Sequence, residues 1–220
     1  IIINFIFYNI EDLIFNTIYY NFFFIKDNSI NLLEIILALL TLSIILTSYY
    51  YNKLNNVLYW EYPILILFSL TSIYFLISSN EIISFYFLLE FQSICFYILA
   101  SYNRKSKKSL ESGIKYFILG SFSSILLILG FSFIYGISGL THLEDLYIYF
   151  NTTTLNTLYI NLGLILILAA FMFKIYAAPF HFWVSEVYHG APTSSVMFFA
   201  TIPLIAFFIV LYKFYIIFFI

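Results

Sequence analysis

The chain has very little with which to face water. Charged residues make up 9% of its 220 positions, against about 25% in an ordinary soluble domain. Hydrophobic residues reach 63% and the mean hydropathy is +1.00. That deficit excludes a water-covered surface and leaves a lipid bilayer as the natural solvent. Cysteine is nearly absent. Cys95 stands alone in an apolar run, which excludes an internal disulfide framework and a CxxC-type metal site. It reads as a small buried hydrophobe. The net charge of −2 and the lack of any basic stripe argue against a nucleic-acid partner. No Gly-rich phosphate loop, nucleophile elbow or flavin motif is present, so this chain performs no redox chemistry by itself.

Arginine, glycine and proline are scarce too. Arg104 is the one arginine among nine basic residues, and there are 7 Gly and 4 Pro against 28 Phe and 21 Tyr. The abundant residues have AT-rich codons and the scarce ones GC-rich codons, which points to an AT-rich genome such as a mitochondrial one. The chain opens on "IIINF" rather than Met; a non-standard start codon or a longer parent would each account for that.

What is present is a series of apolar runs. A helix needs about 20 mostly apolar residues to cross the hydrocarbon core. Windows near 31–51, 62–79, 82–102, 113–136 and 157–175 qualify, and 195–220 is long enough to cross with tilt. The prediction is an all-α membrane protein with about six transmembrane helices. The stretch 13–25, "LIFNTIYYNFFFI", is short and interrupted by Asn16 and Asn21, and reads as interfacial or as the remnant of a span. The run "NRKSKK" at 103–108 carries four of the nine basic residues, and Lys53 lies in a loop on the same side by parity. The loop 140–156 on the other side has Glu144 and Asp145 and neither Lys nor Arg. This asymmetry orients the bundle, with the basic loops facing the matrix if the membrane is the mitochondrial inner one.

Three ionisable residues sit where such groups are costly. Glu90 lies nine residues from Glu81 and ten from Ala100, which at about 1.5 Å per residue puts it near the bilayer midplane. A charge there costs about 2.5–3.5 kcal/mol on insertion scales, and an intramembrane acid is by default a proton or ion site. The alternative is a protonated Glu hydrogen-bonded to a neighbouring helix. Lys174 comes eighteen residues into the run from Thr157. As the end of a simple span it would snorkel to the interface. However, the run continues as "IYAAPFHFWV", where Pro179 cannot donate to a helix ladder and disfavours helix at Ala178. The helix is therefore expected to break between Lys174 and His181, and a break inside a bundle would hold Lys174 at depth. Lys115 lies four residues after Glu111, and the pair can form an interfacial ion pair on one face. Gly120 and Ser124 make a small-xxx-small pattern that favours close helix contact. His181, Glu186 and His189 match no zinc spacing, and no metal site is expected from them.

Three strings carry a resemblance. "FKIYAAPFHFWVSEVYHGAPT" at 173–193, "SLESGIKYFILGSFSSILLILGFSFIYGISG" at 109–139 and "LLEFQSICFYILASY" at 88–102 resemble NADH dehydrogenase subunit 2 of respiratory complex I. That subunit belongs to the antiporter-like family shared with bacterial cation/proton antiporters. The resemblance implies inverted repeats that each contain a broken helix, with proton half-channels built on Glu and Lys. By this resemblance Glu90 is the channel Glu, Lys174 the Lys of the broken helix and Lys115 a Lys in the helix between them. It implies one antiporter-like repeat over 62–220, preceded by an interfacial segment and a first transmembrane helix over 1–61. It also implies a multi-pass location in the mitochondrial inner membrane. The expected partners are lipids, other complex I membrane-arm subunits and a chain supplying the missing second repeat, which is expected to pack on the 195–220 helix near Pro203. NADH, FMN, iron–sulfur clusters and ubiquinone are implied in other subunits, with no cofactor in this one.

Two departures bear on that expectation. The family commonly has Lys after the proline of the next helix, where this chain has Leu204 after Pro203. Lys213 is nine residues on, half a turn out of phase. The family also has roughly twice as many spans. The leading expectation is proton translocation through a buried Glu90–Lys174 pair. The rivals are a structural spacer within the membrane arm and a free-standing cation/proton antiporter.

Overall fold

The computed structural model describes residues 17–19, 23–26, 28–55, 57, 60–152 and 158–219. Among them a short antiparallel ribbon of β1 (Thr17–Tyr19) and β2 (Phe24–Lys26) precedes nine helices. These are α1 (Asn28–Leu54), α2 (Glu61–Ser78), α3 (Ile82–Ala100), α4 (Lys107–Ser138), α5 (Leu143–Thr152), α6 (Leu158–Lys174), α7 (Phe182–Gly190), α8 (Thr193–Phe199) and α9 (Ile202–Phe219). Among the described residues α1, α2, α3, α4 and the α8–α9 pair are each long and apolar enough to cross a membrane, and α6 is a shorter apolar helix. The chain is an all-α membrane protein, apart from the ribbon, which packs at one end of α2 through Phe24 and Ser79. Of the predicted interfacial stretch 13–25, little beyond the ribbon residues is described.

The bundle buries stripes at helical spacing. On α1 the buried positions are Leu33, Leu37, Thr41, Ile44, Ser48 and Asn52, while Leu39, Leu46 and Tyr50 point outward. A face this apolar turned outward suits lipid. Lipid removes most of the hydrophobic drive for helix association, so close packing depends on small residues. One close crossing joins α4 to α6. A Cβ on Gly130 would sit 2.8 Å from the Gly163 carbonyl, and one on Gly163 would sit 3.0 Å from the Gly130 carbonyl. Gly120 leaves room for the Tyr97 ring, whose hydroxyl takes the place a Cβ would need. The small-residue reading of Gly120 thus has a concrete partner.

Loop contacts define the two ends. At the basic end Arg104 binds Glu61 at 2.6 Å, joining the connection after α3 to the start of α2. At the other end the backbone of 80–82 bonds to that of 141–143. The segment 140–156, read from sequence as a loop, contains α5. It buries Leu143 and Leu146 and lays Phe150 on Phe218 of α9 at 5.3 Å. The single span predicted at 195–220 is two helices, because Pro203 in the first turn of α9 has no N–H for the Phe199 carbonyl.

Candidate proton-transfer site

The site is built on α3, α4 and the broken end of α6. Entering from the acidic-loop end, α6 has 17 residues, about 25 Å, and so stops short of a hydrocarbon core about 30 Å thick. Its end has the bonding of a Schellman motif: Ala177 N–H donates to the Met172 carbonyl at 2.9 Å and Tyr176 N–H to the Phe173 carbonyl at 3.4 Å. The left-handed position is Tyr176, at φ 63°. The break falls between Lys174 and His181 as expected, but Pro179 is not its first cause. The helix closes at Lys174 and turns left-handed at Tyr176, three residues ahead of the proline. Pro179 then bars its resumption, and helix begins again at Phe182.

Trp183 fixes this end in place. It is 3% exposed and lies between Phe173, at 5.3 Å and 11°, and Tyr116 of α4, at 5.2 Å and 27°. The stack ties α6, α7 and α4 together within the bundle. This accounts for a Trp and a Pro directly after the apolar run: Pro179 keeps the chain out of helix, and Trp183 packs the break against its neighbours.

Lys174 lines a small internal cavity with Gln92, Ser93, Tyr116, Ser123, Tyr176 and Trp183 among its walls. About 10 Å³ of it is open to the centre of a water molecule, room for about one water. Glu90 does not line it directly. Its carboxylate is within electrostatic reach of Lys174, and Ser93 couples it to the cavity wall, with its Oγ 2.8 Å from the Glu90 carbonyl and 3.4 Å from Glu90 Oε2. Each side chain is half-buried as a whole, but Glu90 Oε1 is sealed from solvent and has no hydrogen-bond partner among the described residues. The two predicted residues therefore share one interior region without forming a direct ion pair.

Lys115 lies elsewhere. Its ammonium is 2.8 Å from Glu111 and 2.7 Å from Glu186, with 41% of its side chain exposed. The pair with Glu111 was predicted; the pair with Glu186, which joins α4 to α7, was not. His181 and His189 are exposed. Lys213 donates to the Ser79 carbonyl at the end of α2, near the acidic-loop end and away from the cavity. Leu204, where the family commonly has Lys, is half-buried.

Sequence reasoning missed Gln92. It is 1% exposed, lines the cavity, and neither its amide nitrogen nor its oxygen has a partner among the described residues. The signal was available: a polar amide two residues after Glu90 in a 19-residue apolar helix is as anomalous at depth as the acid itself.

A bundle of membrane-length helices, one of them broken beside an acid and a lysine, defines a class of polytopic membrane proteins. The chain belongs to the family described as NADH:quinone oxidoreductase/Mrp antiporter, TM, whose sequence pattern matches residues 79–220. It is 39% identical over 183 residues to NADH-quinone oxidoreductase subunit N of Pelagibacter ubique (strain HTCC1062), covering 83% of this chain and 38% of that protein. It is 42% identical over 173 residues to NADH-ubiquinone oxidoreductase chain 2 of Rhizopus oryzae, covering 74% and 33%. The fold matches a chain of respiratory complex I from Thermus thermophilus with bound aureothin, with a TM-score of 0.73 and 24% identity over 94% of this chain and 44% of that one. It also matches a chain of the Mrp complex from Dietzia sp. DQ12-45-1b, with a TM-score of 0.63 and 20% identity over 72% and 29%. The chain spans about two-fifths or less of the curated relatives named here.

Proposed function

We propose that this chain is a membrane-arm part of a proton-pumping NADH:quinone oxidoreductase and contributes part of a proton pathway through Glu90 and Lys174. The observation that carries this reading is that both residues reach one interior polar region, beside a cavity, without a direct ion pair. Opposite charge favours both ionised forms and desolvation opposes both, so a proton gained or lost by one changes the other. With Lys174 on the cavity wall and Glu90 outside it, no salt bridge has to break before either group exchanges a proton. Lys115, clasped by Glu111 and Glu186 on the basic-loop side, is the outer station of the route.

The chain's own residues hold and move protons. NADH, FMN, iron–sulfur clusters and ubiquinone belong to other subunits in this reading. The likeness to NADH-ubiquinone oxidoreductase chain 2 of Rhizopus oryzae, with the AT-rich codon bias, supports a mitochondrial inner-membrane location. Residues 62–220 act as one antiporter-like repeat. Pro203 is buried by this chain's own helices, so a further membrane helix is expected instead on the outward face of α9, at Phe208 and Tyr215.

Leu204 in place of a lysine favours the spacer reading. One experiment separates the two: protons translocated per NADH oxidised in sealed membranes carrying Glu90→Gln or Lys174→Met. The pathway reading requires both variants to lose translocation at normal assembly. A spacer leaves the ratio unchanged.

A further inference from the structure

Tyr176 occupies a backbone position that does not suit it. The left-handed residue of a Schellman motif is usually Gly, sometimes Asn, and a bulky side chain at positive φ is an outlier. Here it is a tyrosine at φ 63°. A strained position at a candidate site raises the question of what its side chain does. The Tyr176 ring lies edge-on to Trp183 at 5.2 Å and to Tyr188 at 6.0 Å. Its hydroxyl is within reach of the hydroxyls of Tyr116 and Tyr188.

These three tyrosines have a direction. Tyr116 and Tyr176 line the cavity that holds Lys174. Tyr188 does not; it sits on α7, two residues before Gly190. A Cβ on Gly190 would lie 2.6 Å from the Lys108 carbonyl, at the basic-loop end of α4. The Tyr188 hydroxyl is sealed from solvent and has no hydrogen-bond partner among the described residues. Buried polar groups are nearly always satisfied, so an unpartnered hydroxyl beside this row calls for an explanation.

We propose that Tyr116, Tyr176 and Tyr188 form a hydroxyl relay that carries protons between the Lys174 cavity and the basic-loop end of the bundle. The proposal rests on the Glu90–Lys174 reading and adds the route by which that pair is loaded. In each hop a hydroxyl gives its proton to the acceptor ahead while taking one from the donor behind. One O–H bond breaks as another forms, and no tyrosine is left ionised. The final transfer puts the proton on the neutral Lys174 amine.

The test is proton uptake during NADH oxidation in sealed membranes carrying the assembled complex, with Tyr176→Phe, Tyr188→Phe and Tyr176→Gly. The relay predicts that each Phe variant assembles normally and slows uptake about tenfold or more. Tyr176→Gly, which suits the left-handed backbone, is expected to assemble and still lose uptake. Normal uptake in Tyr176→Gly would assign Tyr176 a conformational role only and overturn the relay. If Tyr176→Phe does not assemble, Tyr188→Phe decides by the same readout. Glu90→Gln in parallel membranes separates the two failures: lost uptake there with normal uptake in the Phe variants overturns the relay alone, and normal uptake in Glu90→Gln overturns the reading on which it rests.

Discussion

Glu90 on α3 and Lys174 at the end of α6 form no direct ion pair, and Ser93 stands between Glu90 and the cavity that Lys174 lines. Holding either charge alone at membrane depth costs about 2.5–3.5 kcal/mol on insertion scales. Placing opposite charges in one region offsets part of that cost.

Gln92 separates folding from function. Both of its amide atoms are buried without partners among the described residues, so Gln92→Leu removes an unmet polar group and is expected to leave assembly unchanged or improved. The same change strips the cavity of a donor and an acceptor, and translocation is expected to fall roughly tenfold. Complex abundance on native gels and protons per NADH, measured on the same membranes, check both halves.

The α4–α6 crossing has little tolerance. Gly163→Leu forces a side chain into backbone that a Cβ alone would meet at 3.0 Å. Overpacking of this kind costs about 1–3 kcal/mol. The expected result is a large loss of assembled complex, with Gly136→Ala as the control, because a Cβ there meets nothing within 4 Å.

Lys115 is held by two carboxylates at a partly exposed site. Lys115→Arg is expected to keep both pairs and full translocation. Lys115→Met is expected to leave assembly intact and lower translocation less than Glu90→Gln does. Translocation in Lys115→Met equal to that of the unchanged chain would confine Lys115 to a surface ion pair.

Much of the fold was legible because lipid demands long apolar helices. The window 82–102 became Ile82–Ala100, and 157–175 became Leu158–Lys174. The helix α4 begins at Lys107, ahead of its predicted window, because a helix can continue into polar first turns, and Ser106 caps it by accepting from Ser109 N–H at 3.4 Å. The break after Lys174 was anticipated, but not its form, since nothing in composition places a tyrosine in a left-handed turn. Glu90 and Lys174 stood out as charges in apolar runs. Gln92 was passed over because it carries no charge, and the Lys115–Glu186 pair because its members are 71 residues apart in sequence.

The most direct measurement of the central claim is a double-variant cycle on proton translocation, using Glu90→Gln, Lys174→Met and the two together in sealed membranes with complex content held equal. Two residues that act as one unit give non-additive losses. The account predicts that each single change abolishes most translocation and that the double change is no worse than either. Full translocation in either single variant, or losses that simply add, would contradict it.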